Sequence, residues 1–424
     1  MDITQRGAYA NLRLKEAEEG CEDSGWISAA VYTTLDHLYL IDYYIDHFAK
    51  GRLKPQIRGV LRLGAAQALF MRVPLRVACD ESVKLCKEIG KGALAGFVNG
   101  VMRGVCRAAQ AHTLPALPTA PVDRMMVQYS YPRFLVEGYI KRYGEAFTEE
   151  MLAYKQHGMT LRAQPPFTTQ ALEAYLKEQG IAYRTGRLLP EALHVEKGFS
   201  PAHDPLFANG SLSVQSESAM LVCKAMGVSS GFVLDACCAP GGKTAYLSAL
   251  MGGKGSILAW ELHPHRVALT QKTLARLHVQ NATVVCADAT VLRPELLGAM
   301  DAVLLDAPCS GLGLPDKPDV RYAKSDDAIQ ALAAVQRALL DSCCGYVKPG
   351  GTLIYATCTI SARENEEQVD SFLTRHKDFY LDSLAPYVPA FLQAQAAAGM
   401  LQLFPHLYGT EGFFLARMRK IAHE

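Results

Sequence analysis

Cys309, in DAPCSG, and Cys358, in YATCTI, stand where a protein would place reactive groups. Each lies just past a short apolar run that reads as a buried strand, DAVLLD at 301–306 and GTLIYAT at 351–357. In an open parallel α/β sheet, such positions face the crevice beyond the carboxyl ends of the strands. Two thiols there, beside a glycine-rich turn at DACCAPGGKT (235–244), point to chemistry that needs a sulfur nucleophile.

The acids around them narrow the ligand. Strand FVLDA ends at Asp235, SILAW runs into Glu261, ATVVCAD ends at Asp288 and DAVLLD at Asp306, so four strand ends each bring a carboxylate to one crevice. The turn CCAPGGKT leads into a helix near Lys243, whose first N–H groups are free for a ligand. Glu261, about twenty residues past the glycine pair, suits the hydroxyls of a ribose, and Asp288 suits an adenine edge. A dinucleotide fingerprint is excluded by the spacing of APGGKT. A P-loop would need glycine at position 237, which is Cys, and Pro240 would stiffen its wrap around phosphates. S-adenosylmethionine, a nucleoside cofactor without phosphate, fits best. ATP is the distant alternative.

A methyl donor beside two thiols selects the acceptor. Exocyclic amines need no covalent help, and their methylases commonly show Asp-Pro-Pro-Tyr where this chain has Asp306-Ala307-Pro308-Cys309. Carbon 5 of a pyrimidine is a poor nucleophile until a thiolate adds to carbon 6. A nucleophile and a second thiol to help release it account for both cysteines, and Asp306 can hydrogen-bond the cytosine N3 edge.

The elements that position these residues follow from the pattern of the chain. Its 424 residues exceed one ordinary core, half are hydrophobic, and the net charge is +1. No run reaches the length of a membrane span, and the opening segment lacks an apolar leader. Twelve cysteines in such a chain read as reduced thiols of the cytoplasm, and their spacing suits no zinc site. Helical periodicity runs through 1–107, giving an all-helical domain over 1–112. An Ala/Pro linker follows at 113–123, then a small α/β part at 124–206. From 207 to 424, strand-like runs alternate with helical patterns, as in a Rossmann-like doubly wound sheet.

Charge within the helical part is uneven. Residues 51–107 hold eleven basic side chains against three acids, a balance that can offer phosphates a positive face or simply solvate helices. Most other cysteines (79, 86, 106, 223, 286, 343 and 344) read as small buried hydrophobes, and Cys237 and Cys238 as shaping the turn. The histidines form no cluster. ENEE (364–367) reads as an acid-rich first helical turn favoured by the dipole.

VQSESAMLV (214–222), DACCAPGGKT, DAPCSGLG, ATCTI with ENEE, and GTEGFFLARMRK, in that order, resemble the RNA cytosine-C5 methyltransferases of the Nop2/Sun/Fmu family. Upstream, IRGVLRLGAAQALF and AGFVNGVMRGV resemble the NusB-like RNA-binding domain of the bacterial small-subunit rRNA members, and SYPRFLV resembles their linker domain. The resemblance implies roles that spacing cannot assign. Cys358 would be the nucleophile and Cys309 would resolve the covalent adduct. The methionine moiety would lie against Cys237, Cys238, Ala239, Pro240, Gly241, Gly242 and Lys243. Ribose would sit on Glu261, where relatives often have Asp, adenine at Asp288, and Asp306 would reach cofactor and base. The chain departs from relatives after DAPCSGLG, where LPDKPDVRY offers only Lys317 before Arg321.

The expectation is a cytoplasmic, monomeric enzyme methylating cytosine C5 in 16S rRNA, free or in an assembly intermediate, without metal or membrane. A tRNA substrate and a catalytically vestigial assembly factor are the alternatives.

Overall fold

The structure, a computed structural model, describes residues 10–18, 21, 23–323 and 325–422. The opening segment 1–9, read for its lack of a leader, lies outside them. The chain forms two compact units, residues 1–154 with 317–326 and residues 155–316 with 327–424. Among the described residues no helix is long and apolar enough to cross a membrane.

The first unit is helical throughout. Helices Ser24–Asp36, Leu38–Phe48, Pro55–Phe70, Leu75–Glu88 and Ala95–Gln110 enclose Ile41, Ile45, Ile57, Leu61, Val98 and Met102. Prolines at the first turns of the helices starting at 55 and 121 supply the fixed φ a helix start favours, with no N–H left to satisfy. Gly64 permits the closest approach: a Cβ there would stand 2.1 Å from Ser82 Oγ. Helices Pro121–Tyr129, Arg133–Tyr143 and Glu145–Ala153 belong to this unit too, so the break falls at 154/155, inside the stretch read from sequence as a middle part.

Two of the eleven basic residues of 51–107 are neutralised by acids of the preceding stretch. Arg62 grips Asp42 through Nε at 2.8 Å and Nη2 at 2.6 Å, while Arg58 bridges Asp42 and Asp46. Any positive face would be carried by others, such as the exposed Arg103 and Arg107.

A short helix from far along the chain, Asp319–Ala323, completes the unit. Asp319 accepts a bond from Ala10 N at 2.9 Å, and the Tyr322 hydroxyl lies 2.8 Å from both the Leu35 and Ser130 carbonyls. Arg321, 3% exposed, stacks on Tyr131 at 4.2 Å and pairs with Asp36 at 3.5 Å. Arg321 is thus a structural residue here, unavailable to RNA.

The second unit contains two sheets. The small one is antiparallel, in the order β2-β3-β1-β4, from β1 (Met159–Ala163), β2 (Tyr183–Thr185), β3 (Ala192–Val195) and β4 (Leu212–Val214). Leu161, Leu193, Val195 and Leu212 pack on Leu172 and Leu176 of helix Thr169–Glu178. The large sheet is formed by β5 (Phe232–Asp235), β6 (Ser256–Glu261), β7 (Ala282–Cys286), β8 (Met300–Asp306), β9 (Val347–Thr357), β10 (Phe379–Leu381), β11 (Met400–Leu403) and β12 (Phe413–Lys420). Its order is β10-β12-β9-β8-β5-β6-β7, with β11 beside β12.

Strands β5 to β9 are mutually parallel and β12 returns antiparallel to β9. Both faces are buried, which is why these strands read as unbroken apolar runs. Leu247, Leu304, Ile354 and Leu415 share one core; Trp260, Leu340, Tyr355 and Phe372 share the other. This is the Rossmann-like doubly wound architecture expected from the sequence. The register sets Asp235 beside Leu304 and Asp306 beside Ala356, so the carboxyl ends of β5, β8 and β9 reach one edge together.

Candidate active site

A cavity of about 260 Å³ opens at that edge. Its wall carries Cys237 and Ala239 of the glycine turn, Glu261, Asp288, Asp306, Cys309 and Cys358. The two thiols drawn from loops 49 residues apart meet with their sulfurs 3.3 Å apart. The hydrogen bond to Cys358 and burial push the Cys309 thiol well above its ordinary pKa.

Two glycines let the cysteine loops pack this tightly. Gly313 N donates to Cys358 O at 3.0 Å, and Gly412 N donates to Gly313 O at 2.7 Å. A Cβ on Gly313 would stand 2.2 Å from Gly412 O and 2.9 Å from Cys358 O. The GLG after Cys309 and the GTEGFF near the carboxyl end are thus one contact. In the glycine turn, Gly241 has φ +101°, a conformation that favours glycine, and the helix Gly242–Leu250 starts directly after it.

Lys243 does not face the wall of this cavity. Its Nζ donates to Asp306 Oδ2 at 2.7 Å and lies 5.2 Å from the centre of the Phe413 ring. Burial acts to lower the lysine's pKa, but the Asp306 carboxylate outweighs it, and the ammonium is held above its ordinary value. Cys238, Pro240, Gly241 and Gly242 likewise shape the turn from outside the cavity wall. Cys238 N is anchored to Trp260 O at 2.8 Å.

Glu261, 4% exposed, accepts from His263 N at 3.0 Å and faces Arg266 at 3.4 Å. Asp288 accepts from the Thr290 N–H at 2.9 Å and hydroxyl at 2.6 Å, which hold its carboxyl below the usual range.

Three sequence expectations are corrected. Asp235 does not line the crevice: it is fully buried, with Oδ2 accepting from the Thr244 hydroxyl at 2.7 Å. It ties the strand end to the following helix. Cys286, taken for a buried hydrophobe, is exposed. Of ENEE, only Glu366 and Glu367 fall in the first turn of helix Glu366–Arg375. Glu364 and Asn365 are fully buried and bonded to the cysteine loops, because a 3-10 turn at Ala362–Glu364 aims them inward.

Asp235 makes a pH prediction. Burial pushes its carboxyl up to about 6, against the Thr244 bond. The folded state then holds this proton where the unfolded chain has released it, so the residue's contribution to stability falls as pH rises from about 4 to about 6. Asp235→Asn has no such slope. Its stability relative to wild type is expected to rise by roughly 3 kcal/mol across that window, read by urea unfolding at each pH.

These features define a class: a Rossmann-like methyltransferase joined to a NusB-like helical domain. Residues 2–107 match the NusB family and residues 227–419 match the family 16S rRNA methyltransferase RsmB/F. A Bacillus subtilis protein named "Probable ribosomal RNA small subunit methyltransferase B" is 35% identical, with 99% of this chain and 96% of that protein covered. "Ribosomal RNA small subunit methyltransferase B" of Shewanella oneidensis is 28% identical over 100% of this chain and 97% of its own. The crystal structure of PH0851 superposes with a TM-score of 0.80 at 25% identity, covering 96% of this chain and 93% of the other. The chain belongs to the RsmB/F methyltransferase family.

Proposed function

We propose that this protein methylates carbon 5 of cytosine in small-subunit (16S) rRNA during ribosome biogenesis, using S-adenosylmethionine and a covalent cysteine–cytosine intermediate. The observation that carries the reading is the sulfur pair, 3.3 Å apart, on the wall of a cavity that also holds three carboxylates. Full-length relatives named for small-subunit rRNA support the substrate.

The lining suits the cofactor. Glu261, Asp288 and Asp306 would repel phosphates, and Arg266 is the single lysine or arginine among the described lining residues. A nucleoside with a cationic sulfonium is complementary to that charge. When bound, S-adenosylmethionine supplies the methyl group. Glu261 would hold the ribose hydroxyls, Asp288 the adenine, and Cys237 and Ala239 of the turn the methionine moiety.

The chain's own residues do the rest. With the target base extruded into the cavity, the Cys358 thiolate forms a bond to C6, and the displaced electron pair makes C5 nucleophilic. Asp306 shares a proton with the N3 edge as the adduct forms. After C5 is methylated, its proton leaves to a base, the C6–S bond breaks and the pyrimidine regains its double bond. Cys309 stands beside the departing sulfur with a proton to give.

Small-subunit rRNA labelled with tritium at cytidine C5 tests this. Tritium is expected in water in a one-to-one ratio with methyl groups incorporated. Methyl transfer without tritium release would sink the C5 assignment, and release from tRNA transcripts alone would move the substrate.

A further inference from the structure

Behind the two thiols lies a buried acid that the proposed chemistry does not use. Glu364 is fully buried, and its two oxygens take bonds from three segments. Oε1 accepts from Ser310 N at 2.8 Å and from Gln336 Nε2 at 3.1 Å. Oε2 accepts from Ser310 Oγ at 2.6 Å and stands 3.4 Å from Thr359 Oγ1, while the two hydroxyls are 2.8 Å from each other. Ser310 follows Cys309 and Thr359 follows Cys358. One carboxylate thus fixes the residue after each thiol.

The residues before the thiols are held by the same group. Gln336 Nε2 also donates to Pro308 O at 3.0 Å, just ahead of Cys309. Asn365 accepts from Thr357 Oγ1 at 2.6 Å and donates to Thr359 O at 3.0 Å, so it grips the chain on both sides of Cys358. The Glu364 backbone is anchored in turn by the Tyr355 hydroxyl at 2.6 Å. No cation pairs with Glu364 in these bonds; hydrogen-bond donors alone repay the burial of its polar oxygens.

We infer that Glu364 is a positioning residue that sets the distance between the Cys309 and Cys358 sulfurs, with Asn365 fixing the Cys358 loop beside it. The inference builds on the two-thiol reading of the site but concerns geometry that can be measured without it. A carboxylate is required because both of its oxygens must accept. An amide offers one acceptor, and its NH2 can be tolerated only opposite the Ser310 hydroxyl, which can turn to accept. Displacement of a reacting group by about 1 Å can cost on the order of 10²-fold in rate.

The test compares Glu364→Ala, Glu364→Gln and Asn365→Asp with wild type. Diamide, a thiol oxidant, converts two neighbouring thiols to a disulfide and is itself reduced to the hydrazine. The rate at which the Cys309–Cys358 peptide pair appears by mass spectrometry therefore reads the sulfur geometry. Glu364→Ala is expected to slow that cross-link by about tenfold or more and to lower kcat on the order of 10²-fold. S-adenosylmethionine affinity by calorimetry should stay within about twofold, because Glu364 is absent from the cavity wall. Glu364→Gln should recover part of both losses, which covers the case in which the alanine variant fails to fold. An unchanged cross-linking rate in a folded Glu364 variant overturns the inference, as does a kcat loss matched by an equal loss of cofactor affinity. If cross-linking depends on Glu364 while wild type releases no tritium, the positioning role stands and the C5 reading falls.

Discussion

Cys309→Ala is expected to accumulate a covalent protein–RNA species, visible as a slow band on a denaturing gel, while Cys358→Ala gives neither adduct nor product. The asymmetry follows from the roles the family resemblance implies, attack by Cys358 and release by Cys309. The Cys309 thiol is raised in pKa by its bond to Cys358 and by burial, a direction compatible with a proton donor rather than an attacking thiolate. It is well suited to return a proton to a sulfur 3.3 Å away as that sulfur departs. Removing the donor leaves the addition step intact and stalls the expulsion. Both variants should lose product formation by about 10³-fold or more, the scale seen when a covalent catalyst or its partner is deleted. The opposite pattern, trapping by Cys358→Ala, would exchange the two roles.

Lys243→Met should lower both stability and turnover, and the two losses should separate. Lys243 and Asp306 form a half-buried pair at 2.7 Å, with side chains 17% and 22% exposed. Deleting the ammonium strands a carboxylate at the sheet edge at a cost of roughly 2–4 kcal/mol. The same ammonium is close enough to Cys358 for the two to interact electrostatically, so its loss also withdraws a positive charge from the Cys358 sulfur. Adding Asp306→Asn to Lys243→Met is expected to restore much of the stability in thermal unfolding and none of the methyl transfer. A double variant that regains turnover would show that the pair serves only the fold.

Legibility followed the range of the interactions. Parallel strands buried on both faces announce themselves locally, so FVLD, SILAW, DAVLLD and GTLIYAT were readable, and so were the cysteines just beyond them. The helical first unit was equally open, because its periodicity is local. The small sheet was opaque: strands of three to five residues, such as Tyr183–Thr185, carry too little alternation to be told from turns. Glu364 was misread because its donors, Ser310 and Gln336, are 54 and 28 residues away, and an acid before an apolar helix looks like dipole complementarity. Asp235 was misread because only its turn toward Thr244 separates it from the acids that do face the cavity. The basic stretch 51–107 overstated the free charge, since Arg58 and Arg62 had already been claimed by Asp42 and Asp46.

The helix Asp319–Ala323 sets an order of events during synthesis. The amino-terminal bundle is the first part of the chain to be made, yet the piece that covers the Leu35 and Ser130 carbonyls arrives only after residues 155–316 have been added. At typical elongation rates that is a wait of roughly ten to thirty seconds. Until then the bundle is a cup without its stopper, with Asp36 and Tyr131 lacking Arg321. It can close only once the stretch just beyond Cys309 has left the ribosome, so the helical unit is completed by a segment made after residues 155–316.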